Sequence, residues 1–153
     1  MPFKEFIEKL SDARVQKGNI PVWWVYTPGI GGEIFYKGLK QGKIKGAYCK
    51  YCESIILPPR MYCEDCFEKI DKFVDVEGPF LVLAMTEVYL DLDGNRLKEP
   101  QKVALIGGSD LKGGIIHFLD PEEDIDVGDS VKPVFKKERV GSLKDIEFFT
   151  LDR

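Results

Sequence analysis

The cysteine pattern constrains this chain more than any other feature. All four cysteines fall in one stretch: Cys49-Lys50-Tyr51-Cys52, a ten-residue spacer, and Cys63-Glu64-Asp65-Cys66. Two C-x-x-C pairs this close have the ligand spacing of a tetrahedral four-thiolate zinc site. Each pair turns onto one ion only through a tight knuckle. A short hairpin brings the second knuckle within about 4 Å of the first at low loop-closure cost. Two disulfides are the alternative use of the same residues. The chain opens Met1-Pro2-Phe3-Lys4-Glu5, directly into an amphipathic pattern and without an export signal. That disfavours disulfides and points to the reducing cytoplasm. Four thiolates leave no open coordination position, so the expected zinc is structural, one per chain, and not catalytic.

A length of 153 residues suits one ordinary domain or two small ones. The texture changes after the last cysteine, which predicts a first unit over 1–70 and a second over 71–153. The net charge of −4 argues against a general nucleic-acid binder. Charge is uneven, though: Lys37, Lys40, Lys43, Lys45 and Lys50 fall between Ile34 and Cys52 with no acid among them. No apolar run approaches the ~20 residues needed to span a bilayer.

Before the cysteines, Phe3, Phe6, Ile7 and Leu10 make one apolar stripe and predict a helix over Pro2–Lys17, stopped at Gly18-Asn19. The apolar run Ile20–Tyr26 ends in Pro28-Gly29-Ile30-Gly31-Gly32, which reads as a flexible turn. A second helix is predicted over Glu33–Gln41 and a strand over Lys43–Tyr48. After Cys66 the pattern is of short strands: Phe73–Glu77, Phe80–Leu92, Lys102–Ile106, Gly113–Leu119, Val131–Lys136 and Glu147–Leu151. Turn clusters at Asp91–Asn95 and Asp126–Ser130 separate them. The fold class expected is α+β and mostly β, its second unit a small antiparallel barrel with its own core.

Catalytic machinery is hard to find in the sequence. The single histidine, His117, sits inside an apolar strand with no orienting partner nearby, which reads as an ordinary strand residue. All four thiols are committed to metal, leaving none as a nucleophile. Asp120, Glu122, Glu123, Asp124 and Asp126 read as a solvated turn. Gly29-Ile30-Gly31-Gly32 lacks the flanking pattern of a nucleotide loop.

The order helix, helix, four-cysteine ribbon, barrel resembles a family of two-domain proteins that join a rubredoxin-like zinc ribbon to an OB-fold and are associated with acyl-CoA metabolism. Several stretches carry the resemblance: Phe35-Tyr36-Lys37-Gly38-Leu39-Lys40-Gln41-Gly42-Lys43-Ile44, the spacer with Pro58-Pro59-Arg60, the barrel entry Gly78-Pro79-Phe80, and Phe118 to Asp129 with its Asp120-Pro121-Glu122 turn. Two departures are Glu53, where a glycine is commoner, and Glu64, where a proline is often seen.

The resemblance implies a non-catalytic acyl-CoA-binding accessory or scaffold that acts with a thiolase-like or hydroxymethylglutaryl-CoA synthase enzyme. On that reading Trp23, Trp24, Tyr26 and Phe35 line an acyl or pantetheine groove, and Lys37, Lys40 and Lys43 meet phosphates. Helix-to-ribbon packing and a solvated lysine face account for the same residues without a ligand. Two further readings stand beside it: a single-stranded nucleic-acid-binding OB-fold protein, and a subunit of a hydratase-type enzyme whose partner supplies the active site.

Overall fold

A computed structural model of the chain describes residue 25, residues 27–91 and residues 93–153. The helix expected over Pro2–Lys17 and the residues Trp23, Trp24 and Tyr26 lie outside the described residues.

The described elements are one helix, α1 (Gly29–Lys40), and nine strands: β1 (Ile44–Cys49), β2 (Ser54–Leu57), β3 (Lys72–Val76), β4 (Phe80–Leu90), β5 (Arg96–Gly107), β6 (Leu111–Gly113), β7 (Ile115–Phe118), β8 (Ser130–Phe135) and β9 (Ile146–Leu151). A 3-10 turn, Leu143–Asp145, precedes β9. Helix α1 starts four residues before its expected start. The stretch read as a flexible turn is instead its first turn, and the reason is tertiary. Gly31 is buried, and a Cβ there would stand 2.6 Å from the Pro59 carbonyl oxygen. Close docking of the helix onto the Pro58-Pro59 turn thus outweighs the poor helix propensity of glycine.

Two sheets form. The first has the order β3-β1-β2-β6, the second β7-β5-β4-β8-β9. In the second sheet all neighbours are antiparallel. It curls until its edges meet: Leu119 and Phe149 form a parallel bridge, and the Asp120 N–H donates to the Phe149 carbonyl at 2.9 Å. Five strands closed in this order make the OB-type barrel. Hydrogen bonding crosses the boundary expected between residues 70 and 71 at two places. Strand β3, expected beside the barrel strands, pairs with β1, and β6 pairs in parallel with β2.

The expected single strand Gly113–Leu119 is two strands in two sheets. Gly113 makes the break at φ +81°, in a conformation that side chains avoid. The core is shared for the same reason. Phe35 and Leu39 of α1, Ile44 of β1 and Leu57 of β2 pack into one buried cluster with Phe80, Ile106, Val131 and Phe149 of the barrel. A smaller cluster of Ala47, Cys49, Ile56, Cys63 and Ile70 surrounds the cysteines.

Candidate metal centre and ligand surface

The two knuckles are built by different means. Strand β1 delivers Cys49 at its end, and the turn into β2 carries Cys52. The second knuckle is a hairpin over Met61–Ile70. There the Cys63 N–H donates to the Glu68 carbonyl at 3.0 Å, and the Phe67 N–H to the Cys63 carbonyl at 3.1 Å. Glu53 and Phe67, each one residue past the second cysteine of its knuckle, take the left-handed φ values 51° and 59°. The glycine commoner at position 53 in the resembling family now has its physical reason.

The four Sγ atoms lie within 4.8 Å of one another. Cys49 and Cys66 are 3.5 Å apart and Cys52 and Cys63 3.8 Å. Four sulfurs each about 2.3 Å from a tetrahedral zinc stand about 3.8 Å apart, so the donor set fits the ion. No pair is joined as a disulfide. Left as thiols, Cys52 and Cys63 do not ionise alike. Hydrogen bonding with Cys66 pushes Cys52 up to about 12, while the Cys66 backbone N–H holds Cys63 below the ordinary thiol value. Zn2+ supplies the charge that makes all four thiolates, and with four protein ligands it has no position for a substrate. The centre is structural.

The expected ligand residues do not converge. Phe35 is buried in the core with only 5 % of its surface exposed. Lys37 pairs with Glu33 at 2.5 Å, Lys43 with Asp75 at 2.7 Å, and Lys45 with the same carboxylate. The two lysines hold the Asp75 carboxyl below its ordinary value, Lys43 most strongly. Lys50 lies over the Tyr51 ring. Of the three lysines expected to meet phosphates, Lys40 alone has no acidic partner among the described residues.

His117 is buried, packed against Phe118 and Phe149. The acidic run is only partly a solvated turn. Glu123 accepts from Thr150 Oγ1 and from the Leu151 N–H, both at 2.7 Å, and Thr150 Oγ1 also reaches Asp120 at 3.2 Å. These carboxylates fasten the last strand to the barrel. The Leu151 N–H, ahead of the Thr150 hydroxyl, holds the Glu123 carboxyl low.

One organising residue, Asp145, is missed by the sequence pattern. It is 2 % exposed and accepts the N–H groups of Val140 at 3.1 Å, Gly141 at 2.6 Å and Ser142 at 3.1 Å. Its local signal was the Gly141-Ser142 turn just upstream. The loop it shapes sends Arg139 onto the end of α1, where its Nε donates to the Lys40 carbonyl at 3.1 Å.

Among the described residues no helix is long and apolar enough to cross a membrane. The family model of the ChsH2 rubredoxin-like zinc ribbon domain matches residues 37–71. No curated protein matches the chain. Among solved structures, the Ltp2–ChsH2(DUF35) aldolase has a similar fold, with a TM-score of 0.55 at 18 % identity over 77 % of this chain and 91 % of that one. A protein of unknown function from the DUF35 family of Sulfolobus solfataricus is 33 % identical, with a TM-score of 0.67 over 81 % of this chain and 87 % of that one. One in three residues identical across most of both chains places the chain in the DUF35 family, zinc-ribbon and OB-fold proteins.

Proposed function

We propose that the chain is a non-catalytic accessory protein that docks onto an enzyme of acyl-CoA metabolism, of the thiolase or hydroxymethylglutaryl-CoA synthase kind. The observation that carries this reading is at the tip of the ribbon. Tyr51, Tyr62 and Phe67 flank the cysteines and are 61 %, 59 % and 79 % exposed. Large rings left open on a metal-braced knuckle are the composition of a protein interface core. The relative with ChsH2 in its name is described as an aldolase assembly of Ltp2 with a DUF35 chain, which supports an enzyme as the partner. The thiols are committed to a closed centre and the histidine is part of the barrel packing, so the reading assigns the chemistry to that partner. In the barrel, the outer face of β5 and β7 presents Leu105, Ile116 and Phe118, with one ring among them. Base stacking calls for several rings over a basic groove, so the oligonucleotide reading gains no support there.

Co-purification of the native protein followed by mass spectrometry tests the reading. An acyl-CoA enzyme in stoichiometric amount is expected, released when Tyr51 and Phe67 are both replaced by serine. Recovery with nucleic acid, or alone at every salt concentration, would overturn it.

A further inference from the structure

The β4–β5 hairpin outgrows the barrel it belongs to. The two strands are 11 and 12 residues long. Yet only Phe80 and Leu81 of β4 pair with β8, and only Val103–Ile106 of β5 pair with β7. From Leu83 to Val103 none of the described residues is buried. This length is a two-stranded arm standing past the barrel. Strand β4 leaves β8 at a bulge, where its register slips between Val82 and Ala84. The last backbone bonds on that side are at Val82, whose N–H donates to the Asp129 carbonyl at 3.0 Å and whose carbonyl accepts from the Gly128 N–H at 2.8 Å. Among the described residues, Leu83–Leu90 pair with β5 alone.

The two edges of the arm differ. Along β5, Arg96, Lys98, Glu99 and Pro100 crowd the free stretch. The register there jumps from Val88↔Gln101 to Leu90↔Arg96, so four β5 residues bulge opposite Tyr89. Charge, proline and bulge are the devices by which an edge resists pairing. The free edge of β4 has no proline, and its register is regular from Ala84 to Val88. Its one charge is Glu87, whose carboxylate accepts from the Tyr89 hydroxyl. Leu83, Tyr89 and Leu90 are 45 %, 48 % and 55 % exposed.

We infer that a second copy of this chain pairs along this edge, β4 antiparallel to β4 about a twofold axis. Facing side chains must share one side of the sheet, so such an axis passes through a residue and not between two. With the axis at Thr86, the two threonines face each other, Ala84 faces Val88 and Leu83 faces Tyr89. Met85 faces Glu87, which keeps the two carboxylates apart. An axis at Glu87 would set like charges face to face. An axis at Met85 would shorten the pairing, because the backbone of Val82 is already taken. The outcome also explains the asymmetry of the arm. A two-stranded ribbon is marginal in water, whereas the joined sheet has four strands, and both its outer edges are the guarded edge of β5. Assembly therefore closes at two copies. This goes beyond the accessory reading and uses no residue of the ribbon tip.

Sedimentation equilibrium of the full zinc-loaded chain tests it, and a monomer–dimer equilibrium is expected. Thr86→Lys and Thr86→Glu each set like charges face to face at the axis, and each is expected to weaken the dimer about tenfold or more. Mixed in equal amounts, the two variants are expected to dimerise again, because lysine then faces glutamate. Thr86 is exposed, so the fold survives, which circular dichroism checks. Tyr51→Ser with Phe67→Ser is expected to leave the dimer unchanged. A monomer at every concentration, a dimer unmoved by either Thr86 variant, or a mixture that stays monomeric would each overturn the inference. So would loss of the dimer with the Tyr51 and Phe67 changes, which would place it at the ribbon tip. If the amides of Leu83–Leu90 gain exchange protection only when the co-purifying enzyme is added, that enzyme occupies the edge. The dimer assignment then fails while the accessory reading stands.

Discussion

Glu53 and Phe67 hold left-handed backbone at corresponding places, one residue past each knuckle, with φ of 51° and 59°. A side chain in that region costs about 1–2 kcal/mol, a cost that glycine avoids. Glu53 is exposed and makes no side-chain hydrogen bond or ion pair among the described residues, so its replacement removes little else. Glu53→Gly is expected to raise stability by about 1 kcal/mol in chemical denaturation, with zinc content unchanged. A loss of stability would mean that Glu53 makes a contact worth more than its backbone strain. Cys63→Ser is expected to abolish stoichiometric zinc, read by metal analysis of protein with intact thiols. Asp145 carries the clearest pH dependence. Burial pushes its carboxyl up, but the three N–H donors outweigh burial and hold it below its ordinary value of 3.8. A carboxylate depressed in the folded state stabilises fully above its unfolded value. That contribution fades as pH falls through the folded value. Asp145→Asn is therefore expected to cost about 1–3 kcal/mol at neutral pH, and the difference from the parent should shrink as pH falls below the ordinary carboxylate range. A difference that stays constant with pH would contradict the assignment.

Two glycines show where elements meet, and both are places where pattern reading falls short. A Cβ at Gly113 would sit 2.3 Å from the Leu57 carbonyl oxygen, at φ +81°. The residue is fixed by the chain it crosses, not by its own neighbours. Gly113→Ala is expected to destabilise by about 2 kcal/mol or more and to loosen the β2–β6 pairing, seen as faster amide exchange at Leu111 and Lys112. Tolerance of alanine there would mean that the parallel pairing is dispensable. The apolar run Ile115 to Leu119 did announce a strand, but nothing local said that Gly113 and Gly114 divide the segment Gly113–Leu119 between two sheets. The helix start was hidden in the same way, since Gly29, Gly31 and Gly32 read as a turn until Pro59 is placed against Gly31. The knuckles were legible because thiolate geometry is set by spacing over eighteen residues, Cys49 to Cys66.

For the molecule as a whole, the expected divide between ribbon and barrel gives way to a joint. Ile44 and Leu57 of the ribbon strands belong to the barrel's buried cluster, β6 leaves the barrel segment to extend the ribbon sheet, and Arg139 ties the barrel's last loop to α1. Among the described residues the ribbon's private cluster is Ala47, Cys49, Ile56, Cys63 and Ile70, with Cys52, Cys66 and Phe73 packed against it. That is too little apolar area to order a knuckle pair by itself, so metal binding supplies its folding free energy. The barrel's ladders and carboxylate fasteners lie within the barrel itself, so they are expected to persist when the ribbon loosens. The central claim is that zinc organises the knuckles and that the barrel is the stable base they stand on. Amide hydrogen exchange on the zinc-loaded and metal-stripped chain, both with reduced thiols, tests it most directly. Without metal, protection is expected to vanish across residues 49–70 and to fall in β3 and β6, while β4, β5, β8 and β9 keep theirs. Equal protection of residues 49–70 with and without zinc would contradict the claim, as would collapse of the barrel strands together with the ribbon.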